Sequence, residues 1–389
     1  MIKSKSFKNF DPQRVPSPCF VVDEAAVELN LQRLKKVQDE SGARILMALK
    51  AFSMFSLAPL VKKYLSGTCA SGLYEARLGK EEFGGEVHTF STAYSEKDLT
   101  EILKISDHVV FNSFNQWQRF QDLLQTAKTK HPELKFGLRI NPLHSEGTMS
   151  LYDPCAPGSR LGIPYPQFEG KDLTGISGLH FHTLCEQGYE PLNRTLAVIE
   201  DRFSEVLPQL EWVNFGGGHH LTDETYPIDK LITRIKNFQE KYTVQVYLEP
   251  GEAIAIHTGV LVTEVLDIAH NEHDIAILDS SATCHMPDTL EMPYRAEVFY
   301  AGKPGEKTYD YRLAGMTCLA GDVMGDYSFN ETLQPGQRLL FDDMAHYTMV
   351  KTTTFNGIAL PAIALWNSAT NEVRMIKEFS YDDFKNRLS

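Results

Sequence analysis

No two cysteines of this chain stand at C-x-x-C spacing. The six, Cys19, Cys69, Cys155, Cys185, Cys284 and Cys318, are scattered over 389 residues. That excludes a zinc ribbon or a thioredoxin-type site, and it suits a reducing compartment better than a disulfide framework. Also missing is any uninterrupted apolar run of about 18 residues, so no segment is expected to span a membrane. The opening MIKSKSFKNFDPQRVPSP lacks the apolar stretch of a signal peptide, and a cytoplasmic location is expected. Positive charge is in deficit: 38 Lys and Arg stand against 51 Asp and Glu, a net charge of −13. This balance argues against a nucleic-acid or anionic-membrane partner and accommodates a cationic substrate.

What the chain does contain is alternation. Short β-rich runs occur at 44–50, 67–70, 86–90, 108–112, 135–141, 177–182, 211–215 and 244–249. Helical patterns separate most of them, at 95–106 behind a Ser95/Asp98 capping spacing, at 115–130 and at 226–242. Eight strand–helix alternations predict a (β/α)8 TIM-like barrel over 25–258. A doubly wound open sheet is the alternative, but its Gly-rich loop would follow the first strand. Here Lys50 follows the first strand and Gly216–Gly217–Gly218 follow the seventh. After 258 the helical pattern fades. Runs at 260–266, 275–278, 309–313, 337–341 and 373–376, bounded by Gly, Asn and Pro, predict an all-β sandwich or barrel-like domain. Residues 1–24 join 259–389 in that domain, with 20–22 as a further strand.

Barrel chemistry gathers at the C-terminal ends of the strands. Those ends carry Lys50, Ser71 with Glu75, Asn112, Arg139, His182, the three glycines and Glu249. Each alone has a plain structural explanation: a snorkelling lysine, a cap, a turn glycine. Together, at one topological position, they supply what pyridoxal 5′-phosphate needs. A partly buried lysine amine forms an imine with its aldehyde. Glu249 pairs with the pyridine nitrogen and keeps the ring an electron sink. His182 stacks on the ring, and the glycine N–H groups approach the phosphate. A zinc site built from His180 and His182 or from His219 and His220 competes with this reading. Of the first pair only His182 is expected at the barrel mouth, with His180 packed inside; His219 and His220 are adjacent and do not converge. No metal is expected.

The same segments resemble, in order, the motifs of the fold-type-III pyridoxal-phosphate decarboxylases, which act on ornithine, arginine, diaminopimelate and carboxylated triamines. They are ALKA around Lys50, CASGLYE ending at Glu75, LRIN with Arg139, GLHFH ending at His182, FGGG, EPG from Glu249, GMTCLAGD with Cys318 and MAHYTMVKTTTFNG with Tyr347. The resemblance covers nearly the whole chain and implies an alanine racemase-like fold. It implies that Lys50 holds the cofactor, that the glycines and Tyr347 hold its phosphate, and that Glu75 and Arg139 orient His182 and the ring. It also implies a homodimer with shared active sites, in which Cys318 of one chain serves the other.

Departures from the family pattern bear on the substrate. Glu252 stands where many relatives have a phosphate-binding arginine after EPG. Leu319 stands where an acid often follows the cysteine. Thr183, Leu184 and Cys185 replace the usual H-x-G-S. Glu252 and Asp288 are therefore the expected partners of substrate ammonium groups. The segment Tyr152–Gly162 is placed over the barrel mouth. Within the family these features point to the decarboxylases of carboxylated triamines in polyamine synthesis. A diaminopimelate or other basic amino-acid decarboxylase is the nearest enzyme alternative, and a non-catalytic cofactor-binding regulator the more distant one.

Overall fold

The computed structural model describes residues 2–147 and 149–389. The chain divides into two compact units, one of Asn30–Ile254 and one joining the chain up to Leu29 with Ala255–Ser389. In the latter, β1 is Cys19–Asp23. Asn30–Ile254 contributes β2 (Arg44–Ala48), β3 (Gly67–Ala70), β4 (Glu86–Phe90), β5 (His108–Phe111), β6 (Lys135–Asn141), β7 (Ile163–Pro164), β8 (Gly178–His180), β9 (Trp212–Asn214) and β10 (Gln245–Leu248). The other unit resumes with β11 (Gly259–Asn271), β12 (His273–Leu278), β13 (Tyr309–Ala314), β14 (Val323–Phe329), β15 (Arg338–Asp342), β16 (Ala362–Asn367) and β17 (Glu372–Lys377).

Strands β2, β3, β4, β5, β6, β8, β9 and β10 pair in parallel, and the β10–β2 pairing closes the ring. This is the eight-stranded barrel that the alternation predicts. Its strands are buried on both faces, as Ile45–Ala48 shows by being buried throughout, because one face meets the barrel interior and the other the helices. Helix Ile228–Tyr242 illustrates the outer layer. Its buried residues, Ile228, Leu231, Ile232, Ile235, Phe238 and Tyr242, recur at helical spacing. Ser95 caps helix Glu96–Ile105 by accepting the Asp98 N–H at 3.1 Å. The single helix expected over 115–130 is two, Phe114–Arg119 and Gln121–Lys130, interrupted where Phe120 leaves helical geometry at φ −104°, ψ 11°.

The N-terminal pole of the barrel interior is filled. Trp212, Tyr247, Leu46 and Val110 form a buried cluster. The Trp212 ring lies where side chains on Gly137 and Gly178 would have to go. His88 and His108 stack beside it with centroids 3.8 Å apart and planes at 19°. Glu86, His88 and His108 bring ligand-type atoms within 4.8 Å of one another. Arg44, however, pairs with Glu86, and the two stacked rings hold their nitrogen lone pairs in nearly parallel planes, a poor arrangement for one shared ion.

In the second unit one sheet runs β14-β13-β12-β11-β1-β16-β17, with β15 also paired to β11. β1 does add the expected strand, antiparallel to β11 and parallel to β16. Sequence reasoning misses β14, whose centre carries Gly325 at φ 140°, and β16, which directly follows Pro361.

Two buried histidines outside the barrel mouth set a pH dependence. His285 accepts the Ser281 N–H on Nδ1 and hydrogen-bonds the Ala359 carbonyl through Nε2, so the neutral ring satisfies both partners. Burial brings its pKa down to about 4. Burial, with nearby cations, likewise keeps His108 neutral far below the usual histidine range. The unfolded chain takes up these protons near pH 6.5 and the folded chain does not. Stability is therefore complete above about pH 6.5 and falls as the pH drops towards 4, by about 1.4 kcal/mol per pH unit for each ring. Urea midpoints are expected to fall steadily from about pH 7 to about pH 5; a constant midpoint contradicts this assignment.

Candidate active site

Lys50 lies two residues beyond β2. The strand ends because the chain turns there: Ala48 donates its N–H to Pro250 O at 2.9 Å, Leu49 to Cys69 O at 3.1 Å, and Ala51 to Ala48 O at 3.1 Å. The sequence suggests a partly buried lysine, but the structure shows an exposed one. Among the described residues Lys50 has no hydrogen-bond or ion-pair partner. Its charge nonetheless acts on His180, His182 and Cys69, which locates it over the same mouth.

On the adjacent strand, Glu249 follows β10. Asn214 donates its side-chain amide to Glu249 Oε1 at 2.7 Å, and His180 Nε2 lies 3.0 Å from Oε2. Burial disfavours the charged carboxylate, but His180, His88 and Asn214 outweigh it and lower the pKa. Cys69 is pushed well up by burial and by Glu249, so it stays a thiol hydrogen-bonded to that carboxylate. His180 is held neutral, chiefly by burial. The site thus keeps a full negative charge among neutral hydrogen-bonding groups.

His180 corrects the sequence reading. It is packed, stacking on Phe90 at 5.5 Å and 24°, but it also reaches the same site as His182. Residues two apart along a strand share a face, so H-x-H was itself the overlooked signal. Asn214, never singled out, is the other omission. The clue was a polar side chain within a strand whose residues are all buried.

His182 accepts the Gly217 N–H on Nδ1 at 2.9 Å, which leaves Nε2 to carry the proton of the neutral ring. Burial and Lys50 hold its pKa well below the usual range. Arg139 donates to the His182 carbonyl at 3.0 Å, and its guanidinium lies 4.6 Å from the centre of the Phe90 ring. Glu75 accepts the Ser71 N–H at 2.6 Å, a bond within its own helical turn.

The glycine loop also differs from expectation. The Gly216 N–H is committed to Asn214 Oδ1 at 2.8 Å and the Gly217 N–H to His182 Nδ1. These two glycines are required for close approach, since side chains there would overlap the Phe181 and Glu249 carbonyls. Gly218, at φ 84°, is the one whose N–H meets no acceptor among the described residues. Asn112 spans the loop after β6, donating to Arg160 O at 2.8 Å and accepting from Gly162 N at 2.7 Å. Glu252 opens a short helix, and its charge, after burial and Glu186, helps raise the Cys185 thiol to about 11.

The remaining expected residues belong to the sheet unit. Cys318 is exposed in the loop between β13 and β14, its N–H bound to Asn356 Oδ1 at 2.8 Å. Buried Asp322 anchors that loop through Thr317 N–H and Oγ1, and also takes the Ser281 hydroxyl. Asp288 is half-buried. Its Oδ2 accepts from Tyr294 Oη at 2.8 Å and Thr348 Oγ1 at 3.1 Å, while its buried Oδ1 has no partner among the described residues. Tyr347 is half-buried with φ 48°.

Comparison with known proteins bears directly on this arrangement. The family model described as "Pyridoxal-dependent decarboxylase, C-terminal sheet domain" matches residues 19–345. Carboxynorspermidine/carboxyspermidine decarboxylase of Campylobacter jejuni is 46% identical over 386 residues, covering 96% of this chain and 99% of that protein. Carboxyaminopropylagmatine decarboxylase of a Synechocystis species is 44% identical, covering 96% of each chain. The crystal structure of Campylobacter jejuni carboxynorspermidine decarboxylase with norspermidine superposes with a TM-score of 0.88 at 44% identity, over 96% of this chain and 100% of that one. Diaminopimelate decarboxylases are distant relatives.

Proposed function

The chain belongs to the pyridoxal-dependent decarboxylases, and on that premise we propose that it decarboxylates carboxynorspermidine and carboxyspermidine to norspermidine and spermidine. One observation carries the reading: an ionised, half-buried Glu249 and a Lys50 amine without a partner among the described residues stand at the ends of adjacent strands, beside glycines whose side-chain space is filled by backbone. That set fits pyridoxal phosphate. When bound, the cofactor supplies an aldehyde for amine exchange and a protonated ring that takes up the electron pair left on the substrate carbon as CO2 departs.

The chain's own residues do the rest. Lys50 Nζ would hold the cofactor, its amine being the group that the substrate amine replaces. Glu249 would keep the proton on the ring nitrogen, because a carboxylate whose pKa is lowered does not take that proton itself. His182 offers its ring face, with its rotation fixed by the Gly217 N–H. Arg139 steadies the His182 backbone, and Glu75 the turn that follows β3. The Gly218 N–H and the Tyr347 hydroxyl serve the phosphate. Cys318 Sγ of a partner chain returns a proton to the substrate carbon. Exposed Met316, Leu319 and Phe355 around the Cys318 loop favour a homodimer, since apolar side chains grouped on a surface mark protein contacts. The six free thiols suit a cytoplasmic setting.

Glu252 and Asp288 hold the substrate's ammonium groups. A distal carboxylate, as in diaminopimelate, would meet repulsion there. Identity to the Synechocystis relative raises a second substrate, one ending in a guanidinium. Asp288 separates the two: Oδ2 already accepts two hydroxyls, so only Oδ1 remains for the substrate. A single acceptor suits a compact ammonium, whereas a guanidinium gains most from two parallel bonds.

The test is CO2 release from carboxynorspermidine, carboxyspermidine, carboxyaminopropylagmatine and diaminopimelate, each at matched concentrations. The two carboxylated triamines are expected to lead in kcat/KM by about tenfold or more, the worth of one charge-assisted bond. Faster turnover of carboxyaminopropylagmatine or diaminopimelate replaces the substrate assignment.

A further inference from the structure

We propose that His180 is a positioning residue of this enzyme: it donates its Nε2 proton to Glu249 and, with Asn214 on the other oxygen, fixes that carboxylate for the cofactor's ring nitrogen. The inference rests on the reading of Glu249 given above. Its basis is geometric. Arg139, His180 and Asn214 are register partners on the neighbouring strands β6, β8 and β9, so they form one row across the barrel wall. From that row two side chains reach the two oxygens of Glu249, at 3.0 and 2.7 Å.

The protonation state follows from what surrounds the ring. His180 Nδ1 is buried and has no hydrogen-bond partner among the described residues. A bare lone pair there is a modest cost, but a buried, unpaired N–H of an imidazolium is a larger one. Burial first, then the positive charges of Arg139 and Lys50, oppose a second proton and outweigh Glu249, which favours one. His180 is thus a neutral donor. The distinction matters because an imidazolium would neutralise Glu249 and compete with the cofactor ring for it. A neutral N–H fixes the carboxylate's rotamer and leaves its charge free for that ring. The stacked Phe90 holds the imidazole in the plane from which Nε2 reaches Oε2.

The test is cofactor affinity, measured by titrating the apoprotein with pyridoxal phosphate and following tryptophan fluorescence. H180F removes the donor and keeps an aromatic ring. It is expected to raise the dissociation constant about tenfold in the parent protein and less than about twofold in an E249Q background, because the two changes remove one interaction. H180Q, which retains an N–H at similar reach, is expected to stay within about threefold of the parent. Equal weakening by H180F in both backgrounds, or none in the parent, overturns the proposal, since His180 would then act through packing alone. If H180F does not fold, H180Q and H180M are compared instead, and equal losses overturn it. E249Q with unaltered affinity means that the reading of Glu249 itself has failed, a result separate from the others.

Discussion

Replacing Lys50 by alanine is expected to lower kcat by on the order of 10⁴-fold and to remove the covalent link between protein and cofactor. The magnitude reflects two losses: the amine that anchors the aldehyde, and the group best placed to exchange it for the substrate amine. The structure makes the experiment clean. Lys50 is exposed and has no partner among the described residues, so its removal opens no cavity and orphans no buried group. The parent is expected to retain the cofactor through dialysis after borohydride reduction, with the added mass on the peptide containing Lys50. K50A is expected to lose it while melting at the temperature of the parent apoprotein. Retention of a reducible adduct in K50A would place the anchor elsewhere and take the mechanism down with it.

Cys318→Ala is expected to lower kcat by about 10²–10³-fold with little change in KM, since a proton donor works only once CO2 has left. Mixing supplies the sharper test. Neither K50A nor C318A alone is active, but a mixed dimer regains one site with both residues intact. Random exchange then restores activity to about a quarter of the parent level. A mixture as inactive as its components would show that Cys318 does not serve a neighbour.

The sequence reveals the barrel because each strand is a short apolar run and each outer helix carries its own apolar stripe. The positions of Lys50, His182 and Glu249 follow from the rule that chemistry gathers at strand ends. Less legible is what depends on register. That His180 and Asn214 converge on Glu249 is set by lateral pairing of β8 with β9 and of β9 with β10, long-range facts with no local signature. The glycine loop was misjudged for a related reason. Its composition suggests three free N–H groups, but two of them are taken by side chains, Asn214 and His182, from before the loop and from another strand. The exposure of Lys50 was hidden because the apolar run continues past the strand's end, through Leu49, while the backbone already turns.

The rings of Trp212, Tyr247, His88 and His108 at the far pole have a bearing on traffic. With that end stoppered by aromatic side chains, the barrel is a blind well with a single doorway. Acid going in, carbon dioxide and amine coming out, must queue at the same opening.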